Sequence, residues 1–138
     1  MEVSLKKYLI SALKWFAAFL FIIVLCIAVC FIDTIDKELF FAIIIPISCI
    51  VLLLPAGYYT TMFFVFKKKC RNFTPVEGVI TNWETGFYRY SGSVIVEIDG
   101  KEYSTSSYFS HEECKELVGK MISYAIINET LFIYDFKN

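Results

Sequence analysis

The stretch FFVFKKKCRNFTPVEG, residues 63–78, decides the fold because its character changes within one residue. Four apolar side chains run directly into three lysines, and Arg71 follows two positions later. A Thr-Pro pair then opens a segment in which apolar and polar residues alternate. Continuous apolar runs are typical of membrane helices, and alternation is typical of half-buried strands. The stretch therefore predicts the junction between an N-terminal membrane anchor, residues 1–72, and a β domain, residues 73–138.

Two long apolar segments lie upstream of this junction. The 138-residue chain is 57% hydrophobic, which is above the roughly 45–50% of ordinary globular chains. Residues 15–32 and residues 39–66 contain no charged side chain. At about 1.5 Å per residue, the first run makes a helix of roughly 27 Å, close to the ~30 Å thickness of a bilayer core. The sequence predicts a hairpin of two transmembrane helices, over about residues 8–32 and 39–66.

The second apolar segment is longer than a bilayer crossing requires. As one straight helix it would extend about 42 Å, so it has to tilt, bend or leave the hydrocarbon core. Pro46 lacks a backbone N–H, and Pro55 adds a second missing donor next to the flexible Gly57. We therefore predict a kink near Pro55. Because no charge lies inside either apolar core, a structural role is favoured over an ion pathway.

The distribution of charge predicts the orientation of the hairpin. Three lysines precede the first helix core and four cations follow the second, whereas the connector at residues 33–38 carries three acids. Lys and Arg accumulate on the cytoplasmic side of membrane proteins. We expect a multi-pass protein of the cell (inner) membrane with both termini in the cytoplasm. A cleaved signal peptide is the alternative for the first helix, but its apolar run is longer than a signal core, and no small-residue cleavage site follows it.

Residues at the ends of the predicted helices are candidates for contact with the lipid bilayer, the first predicted partner. Each cation near anionic headgroups gains about 1 kcal/mol, and tryptophan favours the interface. The predicted membrane-anchoring residues are Trp15, Lys67, Lys68, Lys69 and Arg71.

The five cysteines predict no disulfide framework. Cys26, Cys30 and Cys49 lie in the apolar runs, while Cys70 and Cys114 fall on the predicted cytoplasmic side. Cys70 lies among the cations and is a candidate for S-acylation. Cys26 and Cys30 share a helix face, and such small side chains permit close helix packing and a homo-oligomer without specifying one.

The residues after Arg71 carry the signals of a small β domain with one short helix. An Asp99-Gly100 pair predicts a two-residue hairpin between strands at 93–99 and 101–108. Ser110 and Glu113 form a capping box for a helix of about two turns that ends at Gly119. Further strands are predicted at 76–83, 121–127 and 131–134. Three strands, a helix and two strands is the order of the OB-fold, so an OB-like five-stranded barrel is predicted.

The soluble half also resembles a known group of proteins. Its entry PVEGVI at 75–80, its hairpin IDGKEY at 98–103 and its exit LVGKMISYAI at 117–126 follow two N-terminal membrane helices. In this it is similar to membrane-anchored domain-of-unknown-function proteins of bacteria, and more distantly to OB-like domains of the NfeD type. The resemblance covers about half of the chain. It implies a fold and a membrane location, and it transfers no catalytic residue.

The loop GFYRYSG, residues 86–92, is the candidate partner-binding site, through Phe87, Tyr88, Arg89 and Tyr90. Aromatics beside a cation could stack on the bases of a single-stranded nucleic acid. However, residues 73–138 contain ten acids and five bases, and phosphate binding needs clustered cations. We therefore expect the loop to contact a protein or the membrane, with a membrane-tethered nucleic-acid-binding domain as an alternative.

Catalytic and metal-binding patterns are weak. His111 and Cys114 are three residues apart on the predicted helix, but structural zinc takes four protein ligands and catalytic zinc takes three. The sequence has neither a nucleophile elbow nor a phosphate-binding glycine loop. We predict no catalytic residue, no metal and no cofactor. The expected function is a non-enzymatic, membrane-anchored binding or scaffold module that acts on another protein. An immunity-type inhibitor of a membrane-active toxin, acting through its helices, is the second alternative.

Overall fold

The computed structural model of the protein describes residues 2–86 and 89–137. The chain forms two compact units, one made of Met1–Tyr8 and Phe63–Asn138 and the other of Leu9–Met62. The helices are α1 (Glu2–Val29), α2 (Lys37–Ser48), α3 (Leu54–Lys69) and α4 (His111–Leu117), with a π-helical turn at Cys49–Leu53 and a 3₁₀ turn at Cys70–Asn72. The strands are β1 (Val76–Val79), β2 (Asn82–Thr85), β3 (Ser91–Ile98), β4 (Lys101–Ser104), β5 (Phe109–Ser110), β6 (Met121–Ile127) and β7 (Thr130–Lys137).

Two helical stretches, Val3–Val29 and Lys37–Asn72, are long and apolar enough to cross a membrane. Only 6% of the most apolar window of the first stretch is buried, and 11% of that of the second. Large apolar side chains such as Leu20, Phe21 and Val24 are 60% exposed or more. A core helix of a soluble protein would bury most of these side chains, so the two helices do not form the core of this chain.

The predicted interruption of the second helix lies upstream of Pro55. Helix α2 begins after Asp36, whose carboxylate accepts the Leu39 N–H at 3.2 Å, and it contains Pro46. The π-helical turn at Cys49–Leu53 follows, and α3 continues directly from it. Such wide turns occur as single turns inside longer helices and are a recognised cause of bending. The second apolar stretch thus stays helical between Pro46 and Pro55, with one wider turn at Cys49–Leu53.

The strands form one open sheet in the order β1-β6-β7-β4-β3-β2, with β5 paired to β3. The predicted closed barrel of five strands is therefore wrong. Its predicted first strand is split, because the Ile80 N–H donates to the Lys120 carbonyl at 3.1 Å while the Thr81 N–H donates to the Ile95 carbonyl at 2.9 Å. Adjacent residues thus bond to different partners, and the chain passes from the β6 ladder to the β3 ladder. The predicted strand at 101–108 is shorter than expected, since β4 ends at Ser104, and a separate two-residue strand, β5, pairs with the start of β3.

The local turn and capping predictions are confirmed. Asp99 and Gly100 both have positive φ, at 51° and 78°, as a type I′ hairpin turn requires. The hydroxyl of Ser110 accepts the Glu113 N–H, and the Glu113 carboxylate accepts the Ser110 N–H, which completes the capping box of α4. Gly119 follows the helix with a φ of 84°. These features depend on a few neighbouring residues, so they could be predicted from short sequence patterns.

Candidate functional site

The aromatic loop connects β2 to β3. Phe87 and Tyr88 lie outside the described residues, so their predicted role stays a prediction. Arg89 and Tyr90 are both exposed, and 75% of Tyr90 is accessible. The Arg89 guanidinium lies 5.6 Å from the centroid of the Tyr90 ring, within cation–π range. The described part of the loop thus exposes an aromatic ring and a positive charge to solvent.

The base of this loop is closely packed. The Gly86 N–H donates to the Ser91 carbonyl at 2.7 Å, and a Cβ atom at Gly86 would lie only 2.4 Å from the Ser107 Cβ. A Cβ atom at Gly92 would meet the Cys114 sulfur at 2.8 Å. Both positions therefore require glycine for close approach. The loop projects from a base that leaves little room for rearrangement.

The first turns of α1 pack into the sheet domain. Tyr8 is fully buried, and its ring centroid lies 4.9 Å from that of Tyr108 and 5.8 Å from that of Phe132. Phe66, from the end of α3, lies 4.1 Å from Phe132 and stacks against Tyr8 at 6.4 Å. We call Ser4, Tyr8, Phe66, Tyr108 and Phe132 the helix–sheet junction. The junction joins the start of α1 and the end of α3 to one side of the sheet domain.

Hydrogen bonds stabilise the junction in addition to the apolar contacts. The buried Ser4 hydroxyl accepts the Ile133 N–H at 2.8 Å and hydrogen-bonds to the Tyr108 hydroxyl at 2.6 Å. The Tyr8 hydroxyl hydrogen-bonds to Ser106 at 2.7 Å. Sequence reasoning missed these residues. The available signal was that Ser4 and Tyr8 are four apart and share a helix face, which says nothing about what that face contacts.

Lys7 connects the same turn of α1 to α4. Its ammonium group donates to the Glu113 carboxylate at 2.5 Å and lies 5.0 Å from the centroid of Phe109. Burial alone would raise the pKa of Glu113. Hydrogen bonds from Lys7 and from the Ser110 backbone, together with the positive charge of Lys7, outweigh burial and lower this pKa below its ordinary value of 4.5. The ionised carboxylate is thus the form that the folded domain stabilises.

Acid should reduce the stability that the ionised Glu113 carboxylate gives to the folded domain. Because the folded-state pKa of Glu113 is lowered, its contribution to stability is complete above the ordinary pKa of 4.5 and is lost as pH falls through the folded pKa. We expect Glu113→Gln to reduce the unfolding free energy at pH 7 and to have a progressively smaller effect in acid. Urea unfolding of the full chain at several pH values measures this. Glu116→Gln, at an exposed position of the same helix, is the control, and a pH-independent effect of Glu113→Gln would contradict the prediction.

The basic segment at the end of α3 is exposed. Lys67 lies 5.4 Å from the Phe63 ring centroid, and Lys68, Lys69 and Arg71 also face outward. Cys70 differs, because it is only 3% exposed, and burial raises the pKa of its thiol. An S-acylated cysteine has to present its sulfur at the surface, so this arrangement does not favour acylation. Trp15 is half-buried in the helical unit, and its predicted role at the membrane interface stays a prediction.

His111 and Cys114 are used in packing. The His111 Nε2 atom lies 3.0 Å from the Ser91 carbonyl oxygen, and the imidazole packs 5.1 Å from the Trp83 ring. Burial raises the pKa of the Cys114 thiol to about 11, and the negative charge of Glu113 adds to the effect. A thiol in this state is a poor nucleophile and a poor metal ligand at neutral pH. Among residues 2–86 and 89–137, no group of three or more His, Cys, Asp or Glu side chains is placed to hold a metal ion.

Comparison with known proteins assigns no function to these surfaces. No protein-family model, curated protein or solved structure matches the chain. The resemblance to OB-like domains of the NfeD type therefore stays a prediction. The aromatic loop and the basic segment are exposed, whereas the helix–sheet junction is buried and joins the helix ends to the sheet.

Proposed function

We propose that the protein is a non-enzymatic, membrane-anchored binding module whose sheet domain presents the aromatic loop to another protein in the cytoplasm. The observation that carries this proposal is the pair of long apolar helices that the chain leaves largely unburied. Exposed apolar surface of this extent is stable in lipid and not in water. In α1, residues 9–29 lie outside the sheet unit and span roughly 31 Å at 1.5 Å per residue, close to a bilayer core.

Contacts of the first turns support retention of α1 as an anchor over its removal as a signal peptide. Ser4 and Tyr8 are both fully buried in the sheet unit. Cleavage after the apolar run would remove both side chains and leave the Ile133 N–H without the hydroxyl that it bonds. Buried polar groups without partners are strongly disfavoured. The cytoplasmic placement of both termini rests on the seven cations that flank the helices against the acidic connector.

We also propose that the sheet domain is OB-like in strand order, although its sheet is open. If β1 and β2 are counted as two halves of one bent strand, and the two-residue β5 is left aside, the domain has five strands, of which the fourth and fifth are neighbours and the fifth lies beside the third. Helix α4 then lies between the third and fourth strands of this count, with the two-residue β5 directly before it. That is the strand count and helix position of the OB-fold, whose barrel is itself partly open.

The partner of the loop is proposed to be a protein because the charge of the domain disfavours nucleic acid. Ten acids against five bases in residues 73–138 repel phosphates. Arg89 and Tyr90 are residue types that are enriched where proteins meet one another. Both are exposed on a loop with a closely packed base, which limits the conformational entropy lost on binding.

A second candidate is the immunity-type inhibitor, which would act through the helices. An apolar cavity of about 290 Å³ lies within the helical unit, between α1 and α2, and is lined by residues such as Ile22, Cys26, Phe41, Ile45 and Ser48. Its volume is about twice that of an engineered core cavity that binds benzene. A hydrophobic side chain from a membrane-embedded toxin could enter such a space.

Site-specific photocrosslinking distinguishes these candidates. A photoreactive residue in place of Tyr90 should capture one protein from native membranes, whereas the same residue at the exposed Lys115 on α4 should capture little. Equal yields at the two positions would contradict the proposal. If a photoreactive residue in place of Ile45 captures a protein and the one in place of Tyr90 does not, the inhibitor is favoured. If the adducts formed at Tyr90 are degraded by nuclease, the nucleic-acid alternative is favoured. Removal of the aromatics, as Phe87→Ala, Tyr88→Ala and Tyr90→Ala together, should abolish capture at a probe placed at Arg89.

A further inference from the structure

We infer that the exposed cations beside the helix–sheet junction form one composite site for anionic phospholipid headgroups, contributed by both helices. This inference rests on the proposed membrane anchoring and adds a lipid specificity to it. We call Lys6, Lys67, Lys68, Lys69 and Arg71 the cation patch. All five are exposed and belong to the sheet unit.

The junction brings the two parts of the cation patch together. Tyr8 and Phe66 stack with ring planes 10° apart and centroids 6.4 Å apart. Lys6 precedes Tyr8 by two residues, and the three lysines follow Phe66 directly. The turn of α1 that carries Lys6 therefore packs beside the turn of α3 that precedes the three lysines, although about sixty residues separate Lys6 from them in the sequence. The sequence alone placed them on two separate flanks.

The patch is not neutralised by the protein itself. In the described part of the sheet unit, Lys7, Lys101 and Lys137 form ion pairs with glutamates, and none of the ion pairs involves a member of the cation patch. The domain nevertheless has an excess of five acids over residues 73–138. These acids repel an anionic leaflet. Unpaired cations at the helix ends supply the opposite charge where the chain meets the membrane.

A lipid fits this patch better than an acidic protein because of where the cations lie along the helix. The three lysines are the last turn of α3 and follow the apolar residues of a membrane-length stretch without a spacer. In a helix inserted in a bilayer, the residues at that position lie at the depth of the phosphate groups. Lys67 is held over the Phe63 ring, which leaves Lys68, Lys69, Arg71 and Lys6 to contact headgroups.

Lipid retention by the full-length protein tests the inference. The protein is reconstituted into nanodiscs that contain phosphatidylcholine and phosphatidylglycerol at low ionic strength, and native mass spectrometry measures the ratio of the two lipids that stay bound. The test variant is Lys68→Gln with Lys69→Gln. The control is Lys115→Gln with Lys120→Gln, which removes the same charge from two exposed positions of the sheet domain.

The wild type and the control should retain phosphatidylglycerol preferentially. The test variant should lose on the order of 25-fold of this preference, about fivefold for each lysine, and added salt should reduce the wild-type preference. If the wild type binds both lipids equally, or the test variant behaves like the control, the inference is overturned while the anchoring stands. If the protein fails to enter nanodiscs of either composition, the proposed anchoring itself fails. If the test variant retains phosphatidylglycerol as the wild type does, but no longer binds an acidic protein that the wild type binds, the patch is a protein-binding site and the inference is overturned.

Discussion

Replacement of Tyr8 by alanine is expected to destabilise the sheet domain by about 3–5 kcal/mol, as deletion of a fully buried aromatic ring does. The ring contacts Tyr108, Phe132 and Phe66, and its hydroxyl bonds Ser106. Tyr8→Phe keeps the ring and removes the hydroxyl, so it should cost only about 1 kcal/mol. Both losses should appear in the strands, although Tyr8 belongs to the first helix.

Urea unfolding of the full chain in detergent measures these changes. Trp83 in β2 reports on the sheet when Trp15, the other tryptophan, is replaced by phenylalanine. Tyr90→Ala is the matched control, because Tyr90 is 75% exposed and its loss should change stability by less than about 0.5 kcal/mol. If Tyr8→Ala and Tyr90→Ala unfold at the same urea concentration, the helix–sheet junction does not form in solution.

Labelling of introduced cysteines in intact cells should give an all-or-none pattern. A cysteine in place of Thr34, in the connector between α1 and α2, is expected to react fully with a membrane-impermeant maleimide. A cysteine in place of Glu116, an exposed residue of α4, is expected to react only after the membrane is opened. The reason is the excess of cations on the two flanks of the helix pair, which predicts that the connector lies outside and the sheet domain inside.

The native cysteines dictate the design of this experiment. Cys114 is fully buried and its thiol pKa is raised to about 11, so it would escape labelling on either side of the membrane. Cys70 is also buried, whereas Cys30 is exposed and should be replaced by serine. If Glu116→Cys is labelled in sealed cells and Thr34→Cys is protected, the orientation is the opposite of the predicted one. Labelling at neither position after the membrane is opened would show that the introduced sites are not exposed.

The predictions that held depend on short-range chemistry. A type I′ turn needs two residues that accept positive φ, and Asp99-Gly100 satisfies that locally. A capping box needs two side chains three residues apart, and Ser110 with Glu113 supplies them. Helices of membrane length follow from the number of uncharged residues in a row. Each of these features could be predicted because its cause is complete within one segment.

The predictions that failed depend on distant partners. Residues 76–83 alternate as one strand should, but the chain bends at Ile80 and Thr81 because Lys120 and Ile95 offer bonding groups on two different ladders. The barrel was also wrong, because the strands form an open sheet. Nothing in the first eight residues indicates that Ser4 bonds the backbone of Ile133. Of the candidate site, the exposure of Arg89 and Tyr90 could be expected because they lie in a loop between two strands, whereas the proximity of the Lys6 turn to the α3 lysines needed the junction.

The Ser4–Ile133 hydrogen bond spans a sequence separation of 129 residues, and this sets the order of events during synthesis. The first turn of α1 leaves the ribosome long before the strand that bonds it. Long-range pairings of this kind form late because the chain between them must first be brought together. Under the proposed membrane anchoring, the two helices therefore have time to insert while the Ser4 and Tyr8 side chains are still unburied. Completion of β7 then buries Ser4 and Tyr8, so under the proposed anchoring a chain truncated before β7 would still insert but would lack a finished sheet.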